Sequence, residues 1–266
     1  MMISEETIRD ALLINDQTRD SYLLYGSYAR GDYSSSSDID VLCITTSRKL
    51  AQRIEGRVTL HNYDIKDLRT MARLGSLFIL HLVREAKPIH DPCGYLGELS
   101  TAFQTPDSYT YLAHRAVGPA SALLDISDSL FETAPQPFMD AALFLCRTLV
   151  YAEHADRGPF SFSLRELAAQ DETASMICKI KAQPVSYSNF QHVRQVVRSK
   201  VRLDSTLPAA LSMLELTQKG QGDPLFDSLL RRIVEGQGGD PYVMPPDMES
   251  NNSFPQRAGS AFRQLG

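Results

Sequence analysis

The sequence is short of cysteine, of basic excess and of long apolar runs, and each shortage argues against a class of function. Cysteine occurs four times in 266 residues, at Cys43, Cys93, Cys146 and Cys178. No C-x-x-C pair or Cys/His cluster appears, which argues against structural zinc. The thiols read as reduced and mostly buried, as suits a cytoplasmic chain. The net charge of −5 provides no surplus of Lys and Arg for broad, non-specific nucleic-acid binding, although a local patch remains open. The longest apolar stretch is too short to span a bilayer. The N-terminal MMISEETIRDALL is acidic and lacks a signal-like apolar core, so a soluble, cytoplasmic protein without membrane contact is expected.

What is present is enough material for one large domain or two small ones. Hydrophobic residues make up 43% and charged residues 22%, both ordinary for a globular chain. Periodicity predicts a short helix over 3–14. Strands are expected at SYLLYG, at DIDVLCIT (38–45) and at RVTLHNYDI (57–65). Helical spacing then takes over, first in 68–86 with a break near Gly75-Ser76, then in 108–132 and 136–156. Ser163 and Glu166 form a capping box. Further helices are expected at 189–201, 208–219 and 224–235. From 236 to 266 the chain is rich in Gly, Pro, Ser and Asn, and reads as a disordered tail. The expected organisation is α+β: a mixed sheet with flanking helices over 1–103, an all-α unit over 104–235 and the tail.

The stretch YGSYARGDYSSSSDID, Tyr25 to Asp40, carries the chemistry. Gly26-Ser27 ends a strand and opens a short helix, where backbone can approach a ligand and free amides favour an anion such as phosphate. Asp38 and Asp40 lie two apart at a strand start, so their carboxylates leave one face and repel unless a cation sits between them. Mg²⁺ suits that position, held by one or two carboxylates plus substrate phosphates.

These residues resemble the G-S-x-A-x-G…S-D-x-D signature of the DNA polymerase β-like nucleotidyltransferase superfamily, especially its small prokaryotic members. The resemblance implies a polymerase β palm-like sheet, an NTP substrate and two Mg²⁺ ions, with Mn²⁺ as a possible replacement. It implies nucleotide contacts at Gly26, Ser27, Arg30 and Ser37, with Arg30 shaping the helix and Ser37 fixing the turn. It implies Asp38 and Asp40 as catalytic metal ligands. The family usually adds a third carboxylate from a neighbouring strand, and Asp64 is the best candidate for that ligand or base. Asp67 reads as a helix cap. A chain without a third acid would bind NTP and turn it over poorly.

The expected reaction moves a nucleoside monophosphate from an NTP to a hydroxyl. RNA (including tRNA) or protein ranks first as acceptor, in a toxin–antitoxin or defence-like setting. A small aminoglycoside-type molecule or a second nucleotide are the other options. The rival class is a catalytically weak nucleotide- or partner-binding module. Arg194, Arg198 and Arg202 recur at helical spacing and offer a phosphate-contacting stripe, against the plainer reading of a solvated face. His81, Arg84 and Glu85 are read as a helix edge in water, His61 as a strand residue without a role, and Tyr109 and Tyr111 as packing residues.

Overall fold

The computed structural model describes residues 5–15, 17–34, 37–46, 53–55 and 57–201. Five strands, β1 (Ser21–Tyr25), β2 (Ile39–Thr45), β3 (Arg53–Glu55), β4 (Val58–Asp64) and β5 (Lys87–His90), form one sheet in the order β3-β4-β2-β1-β5. β1 runs antiparallel to β2 and β5, and β3 antiparallel to β4, while β2 and β4 are parallel. The sheet is therefore mixed. The central strand β2 is covered on both faces, which explains its nearly unbroken apolar run.

On one face Leu23, Tyr25, Leu42, Ile44 and Tyr63 pack against α3 (Ile65–Arg73), α4 (Leu77–Glu85) and α5 (Tyr95–Ala102). On the other, Ile39, Val41, Cys43, Val58, Leu60 and Ile89 meet Ile8 and Leu12, carried by α1 (Glu5–Ala11) and the turn after it. The short helix α2 (Gly26–Arg30) joins β1 to the segment leading into β2. Ser76 caps α4 by accepting from the Phe78 amide, so the expected break at Gly75-Ser76 is a true helix boundary. β3 and β5 were not expected; both are short, and β5 contains Pro88, which sequence reading takes for a stop.

A second core is built from α6 (Thr110–Arg115), α7 (Val117–Leu124), α8 (Asp128–Phe131), α9 (Pro135–Arg157), α10 (Leu164–Leu167), α11 (Glu172–Lys181) and α12 (Tyr187–Lys200). The single helix expected over 108–132 is three. Pro119 falls in the first turn of α7, where its missing N–H does no harm, and Ser127 caps α8 by accepting from Leu130. Helix α11, unforeseen in the sequence, begins at Asp171, whose carboxylate accepts from the Ala174 amide. The regions 208–219, 224–235 and 236–266, together with Arg202, lie outside the described residues.

Helix α4 belongs to both cores. Leu77 and Leu80 face the helical unit, while Phe78, Ile79 and Leu82 face the sheet. The loop 159–163 then locks onto it. Phe162 stacks on His81 at 4.4 Å between ring centroids, and its amide donates to Glu85 at 2.9 Å. Arg84 donates to the Phe160 carbonyl and lies over the Phe160 ring. The expected polar helix edge in water is thus an internal seam: His81 and Glu85 are nearly buried.

Arg194 is also corrected. It is 9% exposed and donates to the carbonyls of Leu123, Leu124 and Ile126, where α7 ends, and to the Tyr187 hydroxyl. It closes a helix C-terminus and contributes no surface charge. Arg198 is exposed, so no described stripe of arginines remains.

Candidate functional site

The antiparallel register sets Tyr25 opposite Asp40, so the last residue of β1 delivers Gly26 directly to the carboxylate. Gly26 has φ +72°, and a Cβ built there would lie 2.8 Å from Asp40 Oδ2. Glycine suits this left-handed backbone, and any side chain here would have to displace the Asp40 carboxylate. The sixteen-residue stretch therefore folds back so that its two ends meet. The Ser27 carbonyl accepts from the Gly31 and Asp32 amides and closes the short helix. Tyr25, at the helix cap, offers no side-chain acceptor to the first amides of α2. Gly26→Ala is accordingly expected to lose about 1–2 kcal/mol of stability from the left-handed backbone. It also pushes the Asp40 carboxylate aside, and a thermal melt reads the loss.

Asp38 is exposed immediately before β2, and Asp40 is half-buried on the same strand face. His61 lies behind Asp40, its Nε2 4.0 Å from Asp40 Oδ1, and is 1% exposed. Its ring meets Tyr25 edge-on, and Tyr25 meets His81 in the same way. His61 thus backs the carboxylate, a role the sequence reading did not give it. The signal was its even spacing from Thr59 on β4.

Two expected nucleotide contacts have other partners. The Arg30 guanidinium donates to Asp32 and, at 2.8 Å, to Glu85. It bridges α2 and α4 as a strut. Asp32 accepts in turn from the buried Ser163 hydroxyl, which ties the helical unit to α2. Against the penalty of burial, hydrogen bonds from His81 and Arg30 hold the Glu85 carboxyl well down, at about 2. Ser37 Oγ accepts from the Ser34 amide at 2.9 Å, and the Arg57 guanidinium donates to the Ser37 carbonyl. The Ser37 hydroxyl is thus engaged within the turn before Asp38.

Asp64 is not part of this group. The parallel register pairs Asp40 with Thr59 and Thr45 with Asp64, so Asp64 sits five residues further along, about 16 Å away at strand rise. Its carboxylate caps α3 by accepting from the Lys66 amide at 2.8 Å. Asp67 lies in the first turn of α3.

On the helical unit, one side chain that the sequence reading missed, Lys181, lies within electrostatic reach of Asp38. Lys181, at the end of α11, is open to solvent yet crowded enough that desolvation, and then Arg147, lower its pKa. Asp140 and Asp38 act on it in the opposite sense. Gln136, Asp140, Phe144 and Arg147 follow one another along α9 at helical spacing, and Gln136 donates to Asp140. Burial raises the Asp140 pKa.

A pair of Mg²⁺ ions does not fit the donors present. Among the described residues no three His, Cys, Asp or Glu side chains gather closely enough to hold a metal. One ion held by Asp38, Asp40 and substrate phosphates does fit. The four cysteines are free, and among the described residues no helix is long and apolar enough to cross a membrane.

A family model described as "Nucleotidyltransferase domain" matches residues 5–87, from α1 to the start of β5. A solved nucleotidyltransferase-like protein from Exiguobacterium sibiricum 255-15 is similar at 13% identity, over 87% of this chain and 88% of that one, with a TM-score of 0.32. No curated protein matches the sequence. The Gly-Ser turn and the paired aspartates on the adjoining strand both fall inside the segment, residues 5–87, that matches the nucleotidyltransferase domain model.

Proposed function

We propose that the chain transfers a nucleoside monophosphate from an NTP to a hydroxyl acceptor. The observation that supports this reading is the closeness of the Gly26 turn to Asp40, where a Cβ on Gly26 would lie 2.8 Å from the carboxylate. The Gly26 and Ser27 backbone receives the phosphates. Asp38 and Asp40 hold a divalent ion, which when bound neutralises phosphate charge. Lys181 and Arg147 face the tail of the triphosphate from the helical unit. Arg30, Glu85 and Asp32 keep α2, and with it the turn, fixed against α4.

For the acceptor we place an RNA or protein hydroxyl first, on the size of the helical unit; the arginine stripe lends it no support. The second reading is a small cationic, hydroxylated molecule. It is favoured by Asp140, an acid near Lys181 on the α9 face.

The test is incubation with each α-³²P-labelled NTP, Mg²⁺ and total RNA, total protein or an aminoglycoside mixture, followed by mass spectrometry. A nucleotide adduct in one fraction is expected. No adduct and no pyrophosphate in any fraction would overturn the reading. Lys181→Ala is expected to weaken nucleotide binding about tenfold or more, the loss of one charged contact worth ~1.5–3 kcal/mol. Its melting temperature should stay unchanged, since Lys181 is solvent-exposed.

A further inference from the structure

The resemblance implies two metal ions, and the sheet register disagrees with it. Asp40 has two neighbours across the sheet, Tyr25 on β1 and Thr59 on β4. Neither is acidic. Two places further on the same face of β4 stands His61, buried behind Asp40. The acid that was expected to complete the set, Asp64, caps α3 at the other end of the strand.

We propose that this site takes one divalent cation with its nucleotide, and that Thr59 occupies the position from which a third carboxylate would hold a second. The inference rests on the nucleotide-binding reading above. Two divalent ions about 4 Å apart repel strongly, and such pairs are held by carboxylates placed between and beside them. Asp38 and Asp40 suffice for one ion with the phosphates. The Thr59 hydroxyl is neutral and compensates no second double charge. On the helical unit, Lys181 lies within electrostatic reach of Asp38, and Arg147 within reach of Lys181. A second cation would face those two without an added acid. Positive charge is thus shared between one exchangeable ion and two side chains of the helical unit. The acceptor hydroxyl then lacks the metal that would lower its pKa, so turnover is slow relative to binding.

The experiment counts ions. The full chain is dialysed to equilibrium against Mn²⁺ and each of the four α,β-methylene NTP analogues, and bound Mn²⁺ and nucleotide are measured together. One Mn²⁺ per bound nucleotide is expected for the parent. Thr59→Asp is expected to raise the count to two and to speed transfer about tenfold or more. Thr59→Asn, of matching shape without the charge, should remain at one. Should Thr59→Asp fail to fold, Thr59→Glu is the replacement, and the parent count stands by itself. Two ions per nucleotide in the parent would overturn this inference while leaving nucleotide binding intact. No bound analogue of any base would overturn the nucleotide-binding reading as well, so the two failures are told apart.

Discussion

Replacing Asp38 and Asp40 together by asparagine is expected to reduce nucleotidyl transfer to about one-thousandth of the parent rate or less. Asparagine keeps the shape of the site but removes both negative charges, and the divalent ion loses its anchor. Metal-borne charge stabilisation is worth several kcal/mol, and each 1.36 kcal/mol is a factor of ten in rate. The melting temperature should hold or rise, because two carboxylates leaving one strand face repel each other when no cation lies between them. Pyrophosphate release, measured beside a thermal melt, decides the matter. Transfer within tenfold of the parent would place the chemistry elsewhere.

The second large effect is on stability. Glu85→Ala is expected to lose roughly 3–5 kcal/mol, as when one partner of a buried ion pair is removed. The carboxylate accepts from Arg30, from the Phe162 amide and from His81, whose Nε2 lies 3.2 Å away. Its removal leaves the Arg30 guanidinium, 16% exposed, with Asp32 alone. The same group fixes a pH dependence. Its pKa falls from an ordinary 4.5 to about 2 on folding, so its contribution is complete above 4.5 and is lost as pH drops from there to about 2. That shift corresponds to about 3 kcal/mol, or a melting-temperature change near 10 °C in a chain of this size. Melting curves of the parent should fall steeply across this window, and those of Glu85→Gln should fall less. Parallel curves would remove Glu85 from the seam.

How far the sequence told this story depends on where its signals are local. Gly26-Ser27 and Asp38-x-Asp40 were legible because turn chemistry and strand alternation act over a few residues. Ser163 was legible too, since a cap is written within three positions. Asp64 was not, because its place depends on strand direction. A hairpin-like return would bring the end of β4 to the start of β2. Instead β3 lies between them in sequence, β4 runs parallel to β2, and start meets start, so Thr59 reaches Asp40 and Asp64 does not. Spacing alone cannot distinguish those two registers. Arg194 was misread for a related reason. Its period was right, but what that helix face meets is the carbonyl end of α7, seventy residues away in sequence. Lys181 carries no local mark at all, and only the packing of α11 on α9 brings it toward Asp38.

Helix α4 carries one more implication, for how the chain can be divided. Cut after residue 103, the N-terminal piece would present Leu77 and Leu80 to water where the helical core now covers them, and Glu85 would lose the Phe162 amide. Such a fragment should be sticky and poorly behaved when expressed alone. Adding the remaining portion in trans should restore it, so the two halves melt together and neither works as a detachable cassette.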